Sequence, residues 1–402
     1  MGLKEAREAL RQRALTALSK PSPYGLDIDI SRFTAGLGSS RLDLEDYTDA
    51  MKTVGVDPRE RDRSGSYYQV DNIAAYYSSR WKGLVVKPIS EALEGEDILD
   101  YYWKAVPVDL DKYTATAFLQ ERDGYYVRVE DGVDIPTPIQ ACLLLGSPFL
   151  IQVPHNIVVV GEGAKLHLLT GCTVARENPG MHIGISEFYV KKGGLLTFTM
   201  IHSWSRGMHV RPRTSVYVDA GGVFVSQYIT TSLVDSIQMY PTVHLVGEGG
   251  SAYLSSIIVG RGSSRIDVGG AIELEAVGSS GEIVSRVLSM DESRIVSRGR
   301  IKGLVRGVRG HIECRGLLLS DGSYIDAIPE LEARAYDVQL THEAAVGRIA
   351  EEEILYLMAK GFAEDEAKSI VVRGFLQPKL PMLPRQLADY LSIVMERIAY
   401  AL

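Results

Sequence analysis

Residues 161–169, GEGAKLHLL, place a turn glycine before a short aliphatic run, and the design returns in KKGGLLTF (191–198), DAGGVFVS (219–226) and GEGGSAYL (247–254). Gly194, Gly222 and Gly250 follow Gly163 at a nearly constant step. A fixed period in this range, each unit carrying short strands and a glycine turn, predicts stacked repeats. A parallel β-helix is the natural solution: each coil adds a strand ~4.8 Å from the last, and glycine permits positive φ at the corners. A sandwich or jelly roll is the competing architecture, but neither needs so regular a register.

On both sides of this stretch the texture agrees. From about residue 112 to 345, runs such as YTATAFLQ, YYVRV, NIVVV, EFYV, SVYV, TVHLV, AYLSSIIV and AIELEAV follow one another, bounded by glycine. They predict an all-β core over 112–345. Upstream, residues 3–19 read as an amphipathic helix stopped by Pro21 and Pro23, RDRSGSYYQV (61–70) as a loop entering a strand, and 90–106 as a helix. Residues 1–111 are therefore expected to be a helical and irregular region. After Gly347 the period changes. IAEEEILYLMAKGF and AEDEAKSIVVRGFL space apolar residues at helical intervals, with acids first and a basic residue and glycine last, which suits the helix dipole. A third helix is expected in RQLADYLSIVMERIAY. The region 346–402 is too short to bury much alone, so it packs on the solenoid or offers an apolar face to a partner.

Composition excludes several classes. A net charge of −8 argues against a nucleic-acid footprint, and the basic stretch Arg206 to Arg213 reads as a solvated loop rather than a phosphate site. The first twenty residues have no continuous apolar stretch of the secretory kind. The most apolar run, IQACLLLGSPFLIQVP (139–154), falls short of the ~20 residues a spanning helix needs. The expectation is a soluble cytoplasmic chain with no membrane segment. Three scattered cysteines, Cys142, Cys172 and Cys314, make neither a disulfide framework nor a structural zinc site. No dinucleotide fingerprint, Walker motif, nucleophile elbow or HExxH helix is present.

Chemistry concentrates in 311–349, HIECRGLLLSDGSYIDAIPELEARAYDVQLTHEAAVGRI. Strand parity puts Ile312, Cys314 and Gly316 on one face and His311, Glu313 and Arg315 on the other. By default such a cysteine is a small core residue, and His342 with Glu343 is a helix-entry pair. The separation of Cys314 and His342 matches one period, so thiol and imidazole are expected one above the other, within ~5 Å. Cysteine, histidine and glutamate are all competent iron ligands. Cys172, in LLTGCT, stands about five coils before Cys314, ~24 Å away, so a link between them needs a conduit or a carrier. Cys142 reads as plain core.

At these residues the chain resembles the SufB/SufD proteins of SUF-system iron–sulfur cluster assembly. The matching stretches are HNIVVVGEGAKLHLLTGCT, FTMIHSW, ECRGLLLSDG and, most specifically, LTHEAAVGRIAEEEILYLMAKGFAEDEAKSIVVRGFLQP, within a similarity running from about residue 60 to 380. The resemblance implies a right-handed parallel β-helix and a non-enzymatic scaffold complexed with SufC, an ABC-type ATPase docked on the C-terminal helices. It implies that Cys314 holds nascent cluster or persulfide and that Cys172 receives sulfur. His342 matches the histidine SufD contributes opposite that site, and Glu343 an adjacent SufB glutamate. The cargo would be a transient cluster, of the four-iron, four-sulfur type; no motif speaks for a flavin, and the resemblance leaves flavin binding open. Implied partners are a cysteine desulfurase or sulfide as donor, recipient apo-proteins, and a SufB/SufD sibling or a second copy. Because this chain carries both the SufB-like cysteines and the histidine, the expectation is a homodimer joined near the solenoid's end, with Cys314, His342 and Glu343 brought together across a two-fold axis. The chain departs from some SufB proteins in lacking a cysteine-rich N-terminal motif. Two alternatives stand beside this reading: a SufD-like structural subunit without cluster chemistry, and a carbohydrate-active β-helix, which would want an acidic external groove.

Overall fold

The computed structural model describes residues 2–38, 43–60, 63–95, 97–231, 233–376, 392 and 396. The turn glycines set its repeat. Gly163, Gly193, Gly221, Gly249, Gly278 and Gly307 recur once per coil, all at φ between 62° and 74°. That region of backbone space suits a residue without Cβ. The amides of Gly163, Gly193, Gly221, Gly249 and Gly307 donate to carbonyls of the following coil at 2.8–3.0 Å, so the ladder of hydrogen bonds runs through the corners as well as the strands. Two of these turns, at Gly278 and Gly307, lie beyond the four recognised in the sequence.

The result is a parallel β-solenoid of about eight turns with short helices at its ends. Its front sheet has ten strands and its back sheet thirteen. In the front sheet, Lys165–Val174, Leu195–Ser203, Val223–Thr230, Ser251–Gly260, Ser280–Ser289, Val308–Leu318 and Val338–Arg348 stack in unbroken parallel register. Between the sheets runs one apolar core, from Tyr67 and Leu145 through Phe188, Phe198 and Phe224 to Ile301 and Ile312. Outside the front sheet, Ile257, Val259 and Leu288 are covered by Val372 and Leu376 of the helix Glu364–Leu376. The helices expected after Gly347 are Glu351–Ala359 and Glu364–Leu376. The expected third helix lies almost wholly outside the described residues.

Several N-terminal expectations give way. Gly65–Val70 joins the front sheet by pairing parallel with Ile139–Leu145, and Ile73–Ser79 closes that edge antiparallel. The run YTATAFLQ is not a strand but part of the helix Lys112–Leu119. Asp111 caps it, accepting from the amides of Tyr113 (2.9 Å) and Thr114 (3.0 Å), and the cap overrides the β propensity of the threonines. Among the described residues of 90–106, the helical elements are Ile89–Ala92 and a turn of 3-10 helix at Asp97–Asp100. The buried Glu187 carboxylate takes the amides of Trp103, Ala105 and Val106, which a helix would need for itself. The basic stretch is no solvated loop at its end. Arg211 is fully buried against the Leu26 carbonyl and Ser236, and Arg213 is paired with the buried Asp111 at 2.7 Å.

Candidate functional site

Cys314 sits mid-strand in Val308–Leu318, where alternation sends Ile312, Cys314 and Gly316 inward. It is 2% exposed. Ser285 is its register partner one coil back and Ala344 one coil forward. Burial pushes the thiol up from its ordinary value; the hydroxyl of Ser297, the Arg286 charge and the hydroxyl of Ser285 pull it back, against Glu313. Ser297 belongs to the back sheet, so the sulfur is flanked from both walls of the solenoid. Ahead of this pair the last coil offers Ala344 and Ala327, and beyond it the solenoid ends.

Cys314 and His342 are not stacked. The last coil is two positions longer than their separation, so Ile312 lies under His342 and Cys314 under Ala344. His342 shares the inward face but stands one strand step and two residues away, ~8 Å between Cα atoms. The imidazole is exposed, because nothing among the described residues covers the last coil. Glu343 takes the opposite, outer face. There it pairs with Arg315 at 3.0 Å; Arg315 also holds Glu313 at 2.8 Å, which binds Arg286 at 2.8 Å. Within one chain, then, Cys314 and His342 share a face and Glu343 does not.

Cys172 is sealed inside the solenoid at 0% exposure, and burial, with Cys142 nearby, pushes its thiol well up. Five strand steps separate it from Cys314, ~24 Å as expected. A polar track spans the gap. His202 is the register partner of Cys172, and its Nδ1 meets the Tyr228 hydroxyl at 3.0 Å. Tyr228, Ser256, Ser285 and Cys314 then occupy one register column, with Ser256 Oγ donating to Ser285 Oγ at 3.0 Å. Burial holds His202 well below its ordinary value and His182 down to about 3, so both rings stay neutral. Sequence inspection assigns no role to Ser285, Ser297, His202 or Tyr228; the repeat register, extended past Gly250 for Ser285, would find the front-sheet three. Among the described residues, the trio with ligand atoms mutually within 4.8 Å is a different one: His244, Glu273 and Glu275. There Arg300 and Lys302 lie 3.4 and 3.5 Å from Glu273 and balance its charge.

A parallel solenoid with a thiol, hydroxyls and an imidazole near one end defines a class of protein that presents its polar groups on a rigid wall rather than in a cleft. Comparison with known proteins makes the class specific. Residues 144–375 match the family model "SUF system FeS cluster assembly, SufBD core domain". An iron–sulfur cluster assembly SufBD family protein of Methanothermobacter thermautotrophicus is 42% identical over 399 residues, covering 96% of this chain and 95% of that one. One from Archaeoglobus fulgidus is 43% identical over 347 residues, 86% of this chain and 93% of its own. The iron–sulfur cluster assembly protein SufB of Bacillus subtilis is 31% identical over 318 residues, 76% of this chain and 67% of its own. The chain belongs to the SufBD family of iron–sulfur cluster assembly proteins, which are generally non-catalytic. None of its described helices is long and apolar enough to cross a membrane.

Proposed function

We propose that this chain is a scaffold subunit on which an iron–sulfur cluster is assembled where its solenoid meets a second subunit. The observation that carries the reading is the placement of Cys314, an inward thiol one coil from an open end, with only Ala344 and Ala327 in the matching positions ahead. Cys314 would hold sulfur or cluster, and His342 would supply a nitrogen ligand from the last strand. Glu343, facing outward, would complete the set only from the other subunit. Among the described residues, the two strands of the last coil, Tyr324–Ala333 and Val338–Arg348, have neighbours on one side only. Such edges pair readily with another chain. A second copy or a SufB/SufD sibling fits there.

Residues 1–111 act in this reading as the cap, 112–345 as the wall, and 346–402 as the dock for a SufC-like ATPase. The helix Glu351–Ala359 supports the last assignment, since Leu355 and Tyr356 are 55% and 63% exposed with Met358 beside them. An apolar helix face of that kind suits a groove on a partner. ATP binding in two such partners would draw the docked helices together and reshape the junction, so that cluster forms and leaves for recipient apo-proteins. Sulfur from a desulfurase or from sulfide would enter at Cys314. Cys172 would take part only through the interior polar track. Three free cysteines accord with the reducing cytoplasm.

Anaerobic reconstitution with iron and sulfide tests the reading. Wild-type protein should develop thiolate-to-iron charge-transfer absorbance, and Cys314→Ala should lose nearly all of it while keeping its circular dichroism. A wild-type yield from Cys314→Ala would overturn the assignment of Cys314, and a wild-type protein that develops no such absorbance would be left with the SufD-like structural role.

A further inference from the structure

Ser285 and Ser297 are each within 2% of full burial, on opposite walls of the solenoid, and both face Cys314: Ser285 is its register partner, and Gly299, two residues after Ser297, lies against Ile312, two residues before Cys314. Their hydroxyls are not otherwise spent. Ser285 Oγ already accepts a hydrogen bond from Ser256 Oγ at 3.0 Å, which leaves its own proton to point away from Ser256, toward Cys314. Ser297 Oγ has no hydrogen-bond partner among the described residues. Buried hydroxyls left short of a partner call for an explanation, and a group that arrives during function is one. A neutral thiol is a weak acceptor, whereas an anionic sulfur is a strong one. The side chains on the open side are small, Ala344 and Ala327 being the register partners of Cys314 and Ser297 in the last coil.

We propose that Ser285 and Ser297 form a two-donor cradle for the terminal sulfur of a persulfide on Cys314. The inference rests on the reading of Cys314 as the sulfur-bearing residue and adds what retains the sulfur there. The Cys314 thiolate attacks the outer sulfur of a donor persulfide, R–S–SH. The donor's S–S bond breaks as the new one forms, and R–S⁻ leaves and takes up the persulfide proton. Cys314–S–S⁻ remains, and no net oxidation occurs. The two serine hydroxyls then donate to the terminal sulfur, which shields it from release as sulfide and from attack by other thiols. Both donors come from rigid strands, so the cradle is formed before the sulfur arrives.

The test uses the full chain, charged anaerobically with cysteine persulfide, stripped of excess donor and followed by alkylation and peptide mass spectrometry at Cys314. Ser285→Ala/Ser297→Ala should shorten the persulfide lifetime by about tenfold, the size of effect that lost hydrogen bonds to a charged group produce. Ser297→Thr, which keeps a hydroxyl, should restore most of what Ser297→Ala loses. Ser215→Ala removes a buried hydroxyl of the back sheet three strands away from that of Ser297, and should leave the lifetime unchanged. An unaltered lifetime in the double variant, or an equal loss from Ser215→Ala, overturns the cradle. A wild-type protein that takes no persulfide on Cys314 overturns instead the assignment of Cys314 on which the cradle rests.

Discussion

The two ends of the solenoid are built on opposite electrostatic rules. At the first coils the charges are buried. Glu187, at 0% exposure, accepts from three backbone amides and from His155 Nε2 at 2.8 Å, while His155 Nδ1 meets Glu121 at 2.6 Å. Asp111, equally buried, joins a helix cap to Arg213. At the last coils the charges are exposed: Arg315 and Glu343 show 45% and 57% of their side chains, and Arg348 and Asp321 show 57% and 94%. A buried charge without its partner is costly, so such pairs lock one arrangement; surface pairs contribute little and let go easily. The first end is therefore closed for good. The last is held by surface pairs alone, and the proposed site lies at that end.

The largest expected effect comes from breaking the closed end. Glu187→Ala strands the buried His155 and orphans three amides, and should cost about 3–5 kcal/mol. The same change at Glu343 should cost no more than about 1 kcal/mol. Chemical denaturation of the two variants reads the contrast directly, and equal losses would erase the distinction between the ends.

Alkaline pH attacks the same cap with a smaller effect. Burial pushes the His155 imidazole down, but hydrogen bonds and charge from Glu121 and Glu187 outweigh it and raise the ring to about 9. A folded value above the ordinary ~6.5 means that the protonated form binds the native state. The contribution is complete below pH ~6.5 and is lost as pH rises through about 9, to the extent of a few kcal/mol at most. Wild-type stability should fall across that window, and His155→Gln, less stable at neutral pH, should show a flatter profile. A profile unchanged by the substitution would mean that His155 is not the titrating group.

The closed end is also the harder one to read from sequence. Glycine turns are local signals, so the Gly-Gly pairs ending at Gly194, Gly222 and Gly250 announce the repeat; Gly278 and Gly307, followed by Ser279 and Val308, do not. The strands EFYV and SVYV are legible because alternation and β-branching act within a few residues. The segment 90–106 is not, because Glu187, far along the chain, takes its amides. Arg211 and Arg213 look like solvent residues for the same reason: their partners, Leu26 and Asp111, lie far upstream. At the site, Cys314 is legible as an inward residue of its strand. Its neighbours are not, since a last coil slightly longer than the period moves His342 by two positions, and Ser297 arrives from the other sheet. Period gives the column approximately; a two-residue drift is enough to change who touches whom.

The smallest expected effect is the sharpest gauge of the open end, because it holds residue type and column constant. Val308 and Val338 are register partners in consecutive coils, and both point into the core. Val308 is fully buried, while Val338 is only partly so, having no coil above it among the described residues. Val308→Ala removes packed methyl groups and leaves a cavity, at about 2–3 kcal/mol. Val338→Ala should cost less than about 1 kcal/mol in the isolated chain, where solvent or side-chain movement fills the gap. A subunit seated on the last coil would bury Val338 as the next coil buries Val308. The two costs should then converge in the assembled complex, and the Val338→Ala variant should also weaken assembly. Thermal unfolding of both variants, alone and with the partner bound, measures this. If the gap between them persists unchanged in the complex, the last coil is not where the partner sits.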